Sequence, residues 1–146
     1  MLITRKAEFS ASHLCALPGL SDEQNREIYG AAANPKGHGH NYTLEVTLSG
    51  EPDPGTGMIF DLKKLKDIIS RTVVDPMDHR FLNYEVPPFD RVVPTAENLA
   101  IEIWNRLAAH FPKGESAQLY NVRLYETDDL YVDYAGDFGA GTEARR

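Results

Sequence analysis

A single cysteine, Cys15, stands among 146 residues. That excludes an intramolecular disulfide and fits a reducing compartment. No apolar run approaches the roughly 20 residues needed to span a bilayer, and the opening Met1-Leu2-Ile3-Thr4-Arg5-Lys6 lacks the apolar core of a secretion signal. The expectation is a cytoplasmic protein. Positive charge is also short: 15 Lys and Arg face 22 Asp and Glu, a formal charge of −7. This argues against nucleic acid or an anionic membrane as partner. An anionic small molecule stays compatible, because a metal and a few local cations override the global field. The sequence carries no internal repeat and no interdomain linker. A chain of this length is ordinarily one domain, read here as residues 1–136. Residues 137–146, glycine-rich and aperiodic, are read as a mobile tail.

What is present is alternation. From Ile3 to Ser12 the odd positions are mostly apolar and the even ones polar, the pattern of a half-buried strand whose apolar face continues to His13. From Asn41 to Ser49, Tyr42, Leu44, Val46 and Leu48 share one face, extended backwards by His38 and His40. Between the two, residues 21–29 suit a short helix in an otherwise irregular stretch. Asp53-Pro54-Gly55-Thr56-Gly57 is a turn, after which Met58-Ile59-Phe60 is expected to pair back as a third strand. Asp61 caps a helix with Leu62, Leu65, Ile68, Ile69 and Thr72 or Val73 at helical spacing, ended by Pro76. Thr95 caps a second, carrying Leu99, Ile103, Leu107 and Phe111 and stopped by Pro112. Alternation then returns: Tyr120, Val122, Leu124 and Glu126 on one face, a turn at Asp128-Asp129, then Leu130, Val132 and Tyr134. Clustered rather than alternating strands and helices indicate an α+β fold, an antiparallel sheet with two helices packed on one face.

The chemistry concentrates at Gly37-His38-Gly39-His40-Asn41-Tyr42. In an extended backbone, residues two apart point the same way, so both imidazoles face the core side, as His13 does. Three neutral imidazoles would leave a zinc ion its full charge and an open fourth position, the arrangement of a catalytic site. A lone histidine on an apolar face is ordinarily a hydrogen-bonded core residue, and that alternative stands for each one singly. His38-Gly39-His40 followed by Glu45 also has the spacing of a cupin metal site, but a regular strand turns Glu45 to the opposite face and the two helices do not suit an all-β barrel. Asp78-His79 is either a solvated loop pair or a carboxylate orienting an imidazole for proton transfer. Glu126, on a core face, is costly unless something binds it. An amino-pyrimidinone ring, with paired N–H donors, would. Glu97, in a first helical turn, suits the helix dipole.

Phe9-Ser10-Ala11-Ser12-His13, Asn34-Pro35-Lys36-Gly37-His38-Gly39-His40-Asn41-Tyr42, Thr56-Gly57-Met58, Met77-Asp78-His79-Arg80-Phe81-Leu82-Asn83, Pro94-Thr95-Ala96-Glu97-Asn98 and Tyr125-Glu126-Thr127 occur in an order that resembles the 6-pyruvoyl-tetrahydropterin synthase family, which includes the 6-carboxy-tetrahydropterin synthases. The resemblance runs to about Gly136. It implies zinc held by His13, His38 and His40. It implies a pterin ring anchored by Glu126 with Thr95 and Glu97 nearby, and proton transfer involving Asp78 and His79. It also implies a tunnelling-type fold, in which sheets from several subunits close into a barrel with active sites between subunits, in a homo-oligomer expected to be a hexamer. The family substrate is 7,8-dihydroneopterin triphosphate, from which pyruvoyl-forming members eliminate triphosphate. The alternatives are the 6-carboxy synthase of the queuosine (deazapurine) route and a non-catalytic pterin-binding homologue. One position departs from the pattern. The family base is a cysteine six residues before the first histidine of the His-Gly-His motif, and here that position is Ala32. Three readings stay open: an engineered alanine, another base such as His79 or Cys15, or different chemistry on a related pterin.

Overall fold

The two alternating stretches pair with each other. The computed structural model describes residues 1–136, and in it β1 (Leu2–His13) and β2 (His38–Ser49) form a long antiparallel ladder. The register sets Phe9 opposite Tyr42, Ala11 opposite His40 and His13 opposite His38. Directly opposed residues share a face, so odd positions of β1 and even positions of β2 point to the same side. Both strands thus deliver their histidines to one end of that face.

The other elements follow in chain order. α1 (Asp22–Tyr29) starts at Ser21 with a reciprocal capping box to Gln24, and a tight 3₁₀ turn covers Gly30–Ala33. α2 (Leu62–Ile69) is capped by Asp61, whose carboxylate accepts the Lys63 and Lys64 N–H groups. It widens into a π turn at Ser70–Val74 and runs on as α3 (Asp75–Met77). Pro76 was expected to end this helix, but it sits in the first positions of α3, where a missing N–H costs nothing, and the helix reaches Met77. Then come β3 (Arg80–Phe81), α4 (Leu82–Glu85), α5 (Ala96–Ala108) with Thr95 as its cap, β4 (Gln118–Thr127) and β5 (Leu130–Tyr134). The sheet order is β3-β1-β2-β4-β5. All neighbours are antiparallel except β3, which runs parallel to β1 at Ala11 and Ser12.

The core lies between one sheet face and the helices. Tyr42, Leu44, Val46, Leu48, Val122 and Leu124 pack with Leu65 and Ile69 of α2 and with Leu99, Ile103 and Leu107 of α5. Truncating any of these leucines to Ala costs about 2–5 kcal/mol, because the cavity left behind collapses only partly. The opposite face carries Thr4, Lys6, Glu8, Glu45 and Arg123.

Two local expectations are corrected. Met58-Ile59-Phe60 is not a strand. The Asp53 N–H donates to the Met58 carbonyl (2.9 Å) and the Gly57 N–H to the Asp53 carbonyl (2.7 Å), closing a tight loop that spends those backbone groups. Ile59 is buried and Phe60 meets Phe111 with ring centroids 5.3 Å apart, so the apolar run reflects core packing. Tyr120 does not share the core face of Val122 and Leu124. The register shifts so that Leu48 pairs with Leu119 while Thr47 pairs with Asn121, and Leu119 is buried where Tyr120 is exposed. A bulge of one residue reverses which parity faces inward. No helix among the described residues is long and apolar enough to cross a membrane.

Candidate metal centre

The strand register brings His13, His38 and His40 together. One nitrogen from each lies within 4.8 Å of the others. His13 Nε2 and His38 Nε2 are 3.0 Å apart, close to the ~3.3 Å between ligand nitrogens on a tetrahedral zinc with bonds of about 2.0–2.1 Å. His13 is almost wholly buried, and its Nδ1 donates to the Pro94 carbonyl at 2.7 Å. With that proton committed, Nε2 carries the lone pair. Burial pushes the pKa of His13 below its usual value, against the opposing bond from Pro94, and burial does the same to His40 against the charge of Glu126. Both rings are therefore held neutral, the form a metal requires. His38 Nδ1 and His40 Nε2 are buried with no hydrogen-bond partner. A buried ring nitrogen without a partner is rare enough to need an explanation, and a divalent cation would give His40 Nε2 one, beside the facing Nε2 atoms of His13 and His38.

Glu126 continues the core face of Val122 and Leu124 and sits at a second bulge. Tyr125 pairs with Tyr131 and Thr127 with Leu130, leaving Glu126 as the extra residue of β4. Glu126 Oε1 lies 3.7 Å from His40 Nε2, at 19% side-chain exposure. Its charge also acts on His13, Cys15 and Tyr42. Glu45, the cupin alternative, is on the other face and pairs with Lys6 at 3.3 Å.

The backbone around the cluster is tightly specified. Gly37 has φ +73°, and a Cβ there would lie 2.6 Å from the Phe81 ring, so only glycine fits. The Cys15 N–H donates to the Ala32 carbonyl at 3.0 Å, which sets Cys15 beside Ala32. Cys15 itself is buried, and burial, then Glu126 and Glu97, push its thiol up to about 11. Thr95 caps α5 through the Asn98 N–H (3.2 Å), and Glu97 is exposed in the first turn of that helix.

Asp78 and His79 form a pair on the outer side of β1. Asp78 Oδ1 accepts the Ser10 N–H and Oδ2 accepts His79 Nδ1, each at 2.8 Å. The Ser10 N–H first, then His79, hold the Asp78 carboxyl below the usual carboxylate range. His79 has φ +59°, left-handed for a residue with a Cβ, and an exposed ring. It borders the same open cleft of about 480 Å³ as His40, with Ser10, Arg80, Phe81 and Glu85. Three features escape the sequence pattern: the Pro94 carbonyl on His13, the Asn98 amide beneath it, and the buried, unpartnered hydroxyl of Tyr42. The residues fall in blocks that carry the family resemblance, but apart from the spacing of the cap Thr95 to Asn98 nothing in the sequence marks these contacts.

Fold and site together define an α+β protein with a histidine cluster beside a carboxylate at one end of its sheet. The family model for 6-pyruvoyl tetrahydropterin synthase matches residues 2–137. Human 6-pyruvoyl tetrahydrobiopterin synthase is 44% identical over 135 residues, covering 92% of this chain and 91% of that protein. The structure of Caenorhabditis elegans 6-pyruvoyl tetrahydropterin synthase superposes with a TM-score of 0.86 at 39% identity, over 94% of this chain and 96% of that one. A putative 6-carboxy-5,6,7,8-tetrahydropterin synthase of Archaeoglobus fulgidus is 32% identical over 133 residues, 91% of this chain and 94% of that protein. The chain belongs to the 6-pyruvoyl tetrahydropterin synthase family and is a lyase of that family's type.

Proposed function

We propose that this chain is a zinc-dependent lyase that acts on 7,8-dihydroneopterin triphosphate and eliminates triphosphate. The observation that carries the reading is the convergence of the His13, His38 and His40 nitrogens within 4.8 Å beside Glu126. Relatives named as pyruvoyl-forming synthases support it. The three histidines would hold the metal, which when bound supplies fixed positive charge against negative charge developing on a neighbouring oxygen. Glu126 accepts the paired N–H donors of an amino-pyrimidinone ring, a charge-assisted recognition, with Thr95 and Glu97 at the start of α5 alongside. Asp78 keeps His79 Nδ1–H engaged, so His79 Nε2 is open to take a proton. The exposure of His79 on its own chain suits a site completed between subunits, with sheets joining edge to edge into the barrel of a cytoplasmic homo-oligomer, read as a hexamer. Residues 1–136 are taken as the one domain that does this; the tail 137–146 lies outside the described residues.

Ala32 favours a second reading. An alanine takes no proton, and losing a positioned base costs ~10²–10⁴-fold in rate. Cys15 is a poor replacement, since a thiol pushed up to about 11 stays protonated near neutral pH. The alternatives are the 6-carboxy route and pterin binding without turnover. The test incubates zinc-loaded protein and its Ala32→Cys variant with dihydroneopterin triphosphate, measuring released triphosphate and product mass. Weak release that rises ~10²–10⁴-fold in the variant supports the first reading. Loss of a two-carbon fragment assigns the 6-carboxy chemistry. Tight pterin binding with no release from either protein assigns the non-catalytic homologue.

A further inference from the structure

We infer that Asn98 is a positioning residue for the metal centre: its side-chain amide braces the bend at Val93-Pro94-Thr95, and the Pro94 carbonyl on that bend fixes the His13 ring with Nε2 turned toward His38. The inference rests on the metal reading above and concerns how one of its ligands is held.

The chain of contacts is short and complete. Asn98 Nδ2 donates to the Val93 carbonyl at 2.9 Å, and the Thr95 N–H donates to the same oxygen at 2.9 Å. The Asn98 backbone N–H donates in turn to Thr95 Oγ1 at 3.2 Å. Asn98 therefore closes the bend twice, once through its backbone as the capped residue of α5 and once through its amide. Pro94 has no N–H with which to anchor itself, so its placement depends on its neighbours' donors. It is buried, and its one polar group, the carbonyl, accepts His13 Nδ1 at 2.7 Å.

The consequence is tautomeric. A neutral imidazole carries its proton on either nitrogen, and the choice follows the partner available. With the Pro94 carbonyl in place the proton stays on Nδ1, and the Nε2 lone pair faces His38 Nε2 3.0 Å away. If the bend relaxes, the proton is free to move to Nε2, where it blocks a ligand position. Groups that hold ligating histidines through their second nitrogen typically contribute 10–100-fold to metal affinity. Asn98 acts one bond further out, through the backbone that bears the carbonyl.

Asn98→Asp is the informative variant. It keeps size and shape, and a carboxylate in the first turn of α5 favours the helix dipole, but it has no proton to give Val93. Asn98→Ala is its companion. Chelator competition is expected to show zinc affinity weakened by ~10-fold or more in both. The visible band of the cobalt-substituted protein is expected to shift, while the far-ultraviolet circular dichroism of the metal-free variants stays that of the parent. His38→Ala sets the zero of zinc binding. Variants that bind zinc within twofold of the parent, with an unchanged cobalt band, overturn the role of Asn98 alone. A parent that binds no zinc overturns the metal reading itself. If either variant fails to fold, proton resonances of the parent decide: a protected His13 Nδ1–H is expected, and its absence overturns the inference.

Discussion

His13 loses nearly all contact with water on folding, and its titration moves with it. Burial lowers its pKa and that of His40 below the ordinary value of about 6.5. Between each lowered value and 6.5 the unfolded chain binds more protons than the folded one, so stability rises with pH across that window and is lost as pH falls through it. The melting temperature of metal-free protein is expected to drop as pH is taken from 7 to 5, and the drop to be shallower in His13→Asn, as differential scanning calorimetry would record. Tyr42 behaves differently. Its ring stacks on Phe9 with centroids 5.0 Å apart, but its buried hydroxyl has no partner, and such a group costs ~1–3 kcal/mol of desolvation. Tyr42→Phe is therefore expected to melt at or above the parent temperature, whereas a fall of several degrees would mean the hydroxyl is bonded after all. At this scale the sequence showed the histidines and Glu126 because each breaks an apolar pattern with a polar side chain. It did not show the Tyr42 hydroxyl, because tyrosine fits an apolar face, nor the Pro94 carbonyl, because backbone groups leave no mark in composition.

Elements were legible in proportion to their number of periods. β1 and β2 each run for 12 residues and α5 for 13, long enough for alternation or helical spacing to repeat. β3 has two residues, too few for any period, and only tertiary pairing with Ala11 and Ser12 makes it a strand. The two bulges in β4 were hidden for a related reason: each shifts the ladder by one residue while the apolar letters on either side still alternate. The π turn at Ser70–Val74 was hidden because Val73 and Val74 continue an acceptable helical stripe. Its cost is met from another helix. The widened turn leaves the Thr72 carbonyl to Arg106 Nη1 at 3.4 Å, and the same guanidinium reaches the Pro87 carbonyl at 2.9 Å and Glu102 at 2.8 Å. Hydrogen bonds from a charged donor are worth about 1.5–3 kcal/mol where they are sheltered, and Arg106 is about one-fifth exposed. Arg106→Met, which keeps the stem and removes the donors, is expected to cost about 1–2 kcal/mol, a fall in melting temperature of roughly 2–8 °C for a chain of this size.

Among the described residues the sheet has one covered face and two open edges. Helices shield the side of the sheet that carries the core, while Lys6, Glu45, Arg123 and Asp133 pair among themselves on the other side at 2.8–3.3 Å. Among the described residues, β1 beyond Ala11 and Ser12 has β2 on one side only, and β5 is the last strand at the other end of the sheet. Unpaired strand edges template further pairing unless they are charged, short or blocked by proline. β1 carries charge at Arg5, Lys6 and Glu8 and β5 is only five residues long, yet both edges also expose apolar side chains: Leu2 at the start of β1 is 51% exposed, and Leu130 and Tyr131 at the start of β5 are 50% and 46% exposed. The Arg123 guanidinium lies 4.1 Å from the Tyr131 ring centroid, a cation–π contact at that edge. Edge-to-edge closure of several copies, as proposed, removes both liabilities at once. Sedimentation of the parent is accordingly expected to give a species several times the monomer mass. Leu130→Lys places a charge at that edge, a device natural sheets use against such contacts, and it lies outside both the core and the histidine cluster. It is expected to weaken assembly at least tenfold, or about 1.4 kcal/mol per contact, with far-ultraviolet circular dichroism unchanged. An assembly that keeps its mass and its dilution profile in this variant would mean that β5 is not the strand through which the copies join.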